Sequence, residues 1–119
     1  MKNFSHVLAL FLIFSLNFLN AYAQKSSTVT EKITVQGVCN MCKERIEEAA
    51  YLPGVKRAEW DKTSHQLTVT FRSDKVSLTK IEQNIAKAGH DAGPLKAANK
   101  DYQSLPNCCA YRDGAECAH

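Results

Sequence analysis

Between residues 29 and 95 the spacing of apolar side chains switches back and forth between a period of two and one of about 3.6, and few small folds accept that order. In VTEKITV, 29 to 35, Val29, Ile33 and Val35 alternate with polar neighbours, the pattern of a strand with one buried face. Gly37 permits a turn. From Cys42 onward Ile46, Ala49 and Ala50 recur at helical spacing among charged residues, until Pro53 and Gly54 stop the segment. VKRAEW, 55 to 60, and the cleaner QLTVTF, 66 to 71, predict two more strands joined by a turn. Ser77 is a candidate N-cap for a second helix with Leu78, Ile81, Ile85 and Ala88 on one face and Gly89 as its stop. Residues 91 to 95 are predicted as a last short strand. The resulting order, βαββαβ, is the ferredoxin-like α+β sandwich, an antiparallel sheet with two helices on one face.

The segment before this stretch reads as an export signal. Lys2 is followed by an apolar run over 7 to 19 and then by Ala21, Tyr22 and Ala23, a small-x-small site for a signal peptidase. Residues 1–23 are therefore expected to be a signal peptide cleaved near Ala23-Gln24, with 24–28 a short linker, 29–96 the folded domain and 97–119 a cysteine-containing tail. An uncleaved membrane anchor is the alternative, weakened by Ser15, Asn17 and Asn20 within a run already short for a bilayer. In the whole chain Lys+Arg 15 stand against Asp+Glu 12, interspersed without a basic stripe, so no nucleic-acid partner is expected.

All five cysteines, at 39, 42, 108, 109 and 117, follow the leader. An oxidising compartment permits disulfides, and an odd count leaves at least one thiol unpaired in a monomer. Cys39 and Cys42, in GVCNMCKERIEE, stand at a helix entrance. Two thiolates so spaced converge on one ion, and the N–H groups of a helix start, with the adjacent Lys43, favour the negative charge they need. Sulfur selects Cu(I), Hg(II), Zn(II) or Cd(II) over hard cations, and two protein ligands leave the ion open to hand-over, where a structural zinc site is closed by four. The same spacing serves thiol–disulfide exchange, although the element order is not that of thioredoxin, no Trp precedes Cys39 and no Pro precedes Cys42. A surface disulfide is the plainest reading of the pair. No nucleophile–base pair and no catalytic carboxylate pair stands out, so an enzyme is not expected.

Among the neighbours of the pair, Met41 is expected to pack or face solvent and Trp60 to lie in the core, while His65 is expected to be solvated. The tail, LPNCCAYRDGAECAH, allows two readings: a mobile second thiol cluster that binds or caps an ion, or a disulfide from Cys108 or Cys109 to Cys117. Pro106 and Gly114 argue against a helix there, and Tyr102 and Leu105 are candidates to dock the tail on the domain.

These residues resemble the heavy-metal-associated domain of soft-metal chaperones and of exported mercury-binding proteins. The resemblance covers roughly 29 to 96 and rests on Cys39 and Cys42, on Ile46 and Glu47 after them, on PGV at 53 to 55, on the helix from Ser77 and on AGHDA at 88 to 92. Gly37 and Val38 lead straight into Cys39, one residue shorter than the family's usual loop and without its methionine, and His90 stands where the family often has Tyr. The resemblance implies an exported, periplasmic, monomeric carrier that binds a soft ion through Cys39 and Cys42, Cu(I) or Hg(II) first and Zn(II) or Cd(II) next. A membrane metal transporter or another metal-binding protein would receive the ion. It also places His90 beside the metal loop as an auxiliary ligand candidate, to which the tail, outside the resemblance, adds Cys108 and Cys109. With the pair on an exposed loop, replacing Cys39 and Cys42 by Ser is expected to leave the fold nearly intact.

Overall fold

The structure, a computed structural model, describes residues 27–116, so the expected signal peptide with its cleavage site, and Cys117 with the two residues after it, lie outside the described residues. Where the period-two patterns stood, strands form: β1 (Thr28–Thr34), β2 (Val55–Asp61) and β3 (Gln66–Arg72), antiparallel in the order β1-β3-β2. β1 pairs with β3 from Thr28 opposite Arg72 to Thr34 opposite Gln66. β2 flanks the other edge of β3, with an irregularity between Val55 and Arg57. Ile33, Ala58, Trp60, Leu67, Val69 and Phe71 turn one face of this sheet into the core. Trp60 is fully buried there, as its position in the alternation predicts, and its indole N–H donates to the Val35 carbonyl at 3.0 Å.

Helices α1 (Asn40–Ala50) and α2 (Leu78–Lys87) cover that face. Ile46 and Ala50 of α1 meet Ile81 and Ile85 of α2 in the core, each isoleucine stabilising the fold by about 1.5–3 kcal/mol through burial. Ser77 caps α2 as its sequence position predicts, its side chain accepting from the Lys80 N–H at 3.1 Å. Two polar ties fix the helices to each other: the Asn84 amide donates to the Ala49 carbonyl at 2.7 Å, and Arg45 donates to the Ala88 carbonyl at 3.2 Å. His65, expected in solvent, instead stacks on Trp60 with ring centroids 5.8 Å apart.

The fourth strand predicted over 91–95 does not form. Ala92 makes a single antiparallel bridge to Val35 and then bridges back to Leu95. Between them Gly93 adopts φ +55, a left-handed conformation that breaks extended backbone, and Pro94 has no N–H to give a neighbour. The chain therefore turns away after one pairing.

The tail also departs from expectation. It folds into α3 (Asn99–Gln103) and two one-turn 3-10 helices, Asn107–Cys109 and Tyr111–Asp113. Pro106 and Gly114 delimit these turns rather than forbid them: Pro106 is the N-cap of the first, and Gly114, in the left-handed region, ends the second. Leu105 is buried and Tyr102 packs against the same core, so both dock the tail as proposed from the sequence.

Candidate metal centre

The loop that enters α1 is shaped by what lies beneath it. A Cβ on Gly37 would lie 3.0 Å from the Trp60 ring and 3.1 Å from both the Cys42 and Ile46 side chains, so any larger residue here would have to push these core side chains aside. Cys39 then takes the N-cap position of α1 in extended conformation, and Cys42 follows inside the first turn. Their sulfurs are 3.6 Å apart. Cys39 is half-buried, but Cys42 is wholly buried and belongs to the hydrophobic core. The expectation of an exposed pair is thus corrected for Cys42: a Ser hydroxyl there would be desolvated, and Ala is the milder replacement.

The tail brings two more sulfurs to the same place. The 107–109 turn packs on α1, with Cys109 wholly buried and Cys108 half-buried. The sulfurs of Cys39, Cys108 and Cys109 all lie within 4.8 Å of one another. The Cys39 sulfur contacts the Cys108 carbonyl at 3.6 Å, and the Cys108 thiol points to the Met41 sulfur at 3.6 Å. Met41 is about half exposed, consistent with its expected place at the surface.

A polar network holds this turn down. Arg112 bonds Asp91 at 2.7 Å and the Ala97 carbonyl at 2.8 Å, while its guanidinium lies 4.6 Å from the Tyr102 ring centroid. The Tyr111 hydroxyl donates to the Gly89 carbonyl at 2.8 Å and accepts from the Asp91 N–H at 3.0 Å. Tyr102 donates to Asp113 at 2.7 Å. The second cysteine pair is thus presented by a folded element.

Thiol acidity separates Cys39 from the two cysteines of the tail. Burial pushes the Cys39 thiol up, but the N–H groups of Cys42 and Met41 and the neighbouring Cys42 and Cys108 thiols outweigh it and hold it below its ordinary value, although no formed side-chain cap bond is present. Burial, then contact with Cys39, raises Cys108; burial, then contact with Cys42, raises Cys109 strongly. The Lys43 ammonium, expected from the sequence to favour the thiolates, pairs with Glu47 and donates to the Trp60 carbonyl at 2.8 Å.

His90, the other auxiliary candidate, is not brought into the sulfur group. It is wholly buried, and its Nδ1 lies 2.7 Å from the Gln36 carbonyl, assigning the proton to Nδ1, while Nε2 is buried without a hydrogen-bond partner among the described residues. Burial holds its pKa below the ordinary histidine value, so it is neutral at physiological pH. What sequence reasoning missed was the part of Tyr111 and Arg112 in holding the docked tail down. Their partners, Gly89 and Asp91, are remote in sequence.

Comparison with known proteins agrees with this architecture. The heavy-metal-associated domain matches residues 32–91, half of the chain. Among solved structures, the chain is similar to the CopZ metallochaperone at 27% identity with a TM-score of 0.52, over 54% of this chain and 98% of that one. It is similar to oxidized MerP from Ralstonia metallidurans CH34 at 28% identity and TM-score 0.53, over 56% of this chain and 94% of that one. It is also similar to a copper-binding domain of HMA7, a P-type ATPase, at 26% identity and TM-score 0.52, over 56% and 92%. No curated protein matches the chain. The chain belongs to the heavy-metal-associated domain family.

Proposed function

We propose that, as a member of this family, the chain is an exported, periplasmic carrier that takes a soft metal ion between Cys39 and Cys42 and passes it on by thiol exchange. The observation that carries this reading is the pair of sulfurs 3.6 Å apart on the first turn of α1, one of them acidified by that turn. Cys39, whose thiol is held below its ordinary value, meets the ion first; Cys42 gives its proton to solvent as its sulfur closes on the same ion. For release, a thiolate of the receiver bonds the ion and displaces the two sulfurs in turn, each recovering a proton. The receiver is a membrane metal transporter or another metal-binding protein. Similarity to a metallochaperone and to a copper-binding domain supports Cu(I), and the softness of sulfur places Hg(II) beside it and Zn(II) or Cd(II) behind.

Native mass spectrometry of the reduced mature protein, offered equimolar Cu(I), Hg(II) and Zn(II), tests the proposal against a Cys39→Ser/Cys42→Ala variant. One ion bound by the wild type and lost by the variant supports the carrier. Undiminished binding in the variant would move the site to the tail. No binding by either, with a Cys39–Cys42 disulfide that a dithiol reduces and an oxidant re-forms, would replace the carrier by a thiol–disulfide exchange protein.

A further inference from the structure

We infer that the C-terminal turn completes the metal site, Cys108 and Cys109 supplying the third and fourth sulfurs to the ion that Cys39 and Cys42 take up. This rests on the carrier reading and changes the state in which the ion travels: enclosed by the protein's own chain rather than open on two ligands. The distances suit it. Metal–sulfur bonds of about 2.3 Å place the sulfurs of a tetrahedral site about 3.8 Å apart. Cys39 and Cys42 stand at 3.6 Å, and the sulfurs of Cys39, Cys108 and Cys109 lie within 4.8 Å of one another. The Cys109 thiol in turn contacts Cys42, so the four sulfurs form one connected group.

Burial points the same way. Cys109 is a wholly buried thiol, placed by a one-turn helix against a second wholly buried thiol, Cys42. Arg112, Tyr102 and Tyr111 anchor that turn through Asp91, Ala97 and Gly89, so the two extra sulfurs are already in place when the ion arrives and little ordering opposes their binding. Each sulfur that bonds the ion gives up its proton to solvent, and each proton is recovered when a receiver's thiolate takes that sulfur's place. The tail is thereby the internal competitor of the receiver, and hand-over begins with the sulfurs of the tail leaving the ion.

The probe is 113Cd(II) bound to the full mature chain, whose NMR shift reports how many sulfurs surround the ion, with chelator competition for affinity. The expected results are four sulfurs in the wild type, three in Cys108→Ser, two in Cys108→Ser/Cys109→Ala, and four still in Cys117→Ser. Affinity is expected to fall at least about tenfold in the double variant, since even groups one shell removed from a metal cost that much. Two sulfurs in the wild type, or a count that drops only in Cys117→Ser, would overturn the inference and leave the carrier intact. No cadmium bound by any form would overturn the inference, and the carrier reading would then stand or fall on the binding of Cu(I) and Hg(II) to Cys39 and Cys42. The wild-type count decides even if the double variant fails to fold, because it needs no variant at all.

Discussion

The two cysteine pairs have similar exposure and different origins. Each contributes one buried and one half-buried sulfur: Cys42 and Cys39 in one, Cys109 and Cys108 in the other. The first pair sits at the start of an eleven-residue α-helix, whose N–H groups, with the neighbouring Cys42 and Cys108 thiols, overcome the burial of Cys39 and hold its thiol below the ordinary value. The second sits on a three-residue 3-10 turn, and burial raises both of its thiols. A helix start acidifies a thiol mostly through bonds made within a few residues, whereas burial on a docked turn raises the thiols that the turn places.

Removing the support of each pair separately sharpens the contrast. Trp60→Ala takes away the ring beneath Gly37 and the bond to Val35; its cost is expected to be about 3–5 kcal/mol, and chemical denaturation will show both pairs lost together. If stability barely changes, the loop into α1 does not depend on that ring. Arg112→Ala is expected to cost about 1.5–3 kcal/mol, felt in the tail. Amide hydrogen exchange should accelerate over 99–113 and stay slow in α1 and β3; uniform acceleration would mean that the tail and the sheet unfold as one unit.

Acid attacks the same anchor. Burial pushes Asp91 up, but the Ala97 N–H and Arg112 outweigh it and hold its carboxyl below the ordinary value. A group depressed on folding contributes stability above its unfolded pKa, about 3.9, and that contribution is lost as pH falls through the folded value. The tail is therefore expected to loosen only in strong acid, and Asp91→Asn should abolish that acid step.

Ser77→Ala, remote from both pairs, is expected to cost about 1 kcal/mol of stability and to leave metal affinity unchanged. A change in affinity would show that α2 reaches the site. Smallest in energy is a contrast of rates: in the reduced, metal-free protein at neutral pH, iodoacetamide should modify Cys39 ahead of Cys108, both half-buried, as peptide mapping over time will show. Equal rates would erase the distinction between a helix start and a docked turn.

Much of this molecule was legible from spacing. The alternation in 66 to 71 became β3 with Leu67, Val69 and Phe71 all buried, and Ser77 caps α2 where its position implied. Cys39 and Cys42 stood out because three residues of separation across a helix start is a local relation. Lys43 was misjudged for the opposite reason: adjacency put it near the sulfurs, but Glu47 one turn along and the Trp60 carbonyl across the core claim its ammonium. His90 was expected beside the metal loop as an auxiliary ligand, but it lies buried beside Gln36 and Tyr111, outside the group of sulfurs.

What the amino-acid order by itself determined is whatever neighbours within a turn or a strand can enforce: the succession of elements, the cap at Ser77, and a thiol pair at a helix start. Only the tertiary structure decided that the last expected strand stops at one bridge and that the tail folds back to set Cys108 against Cys39, 69 residues earlier. Period and capping are short-range and leave a pattern in the chain. Docking depends on the shape and charge of a surface that exists only once the sheet and helices have assembled, so a turn of three residues carries no mark of the sulfurs it will meet.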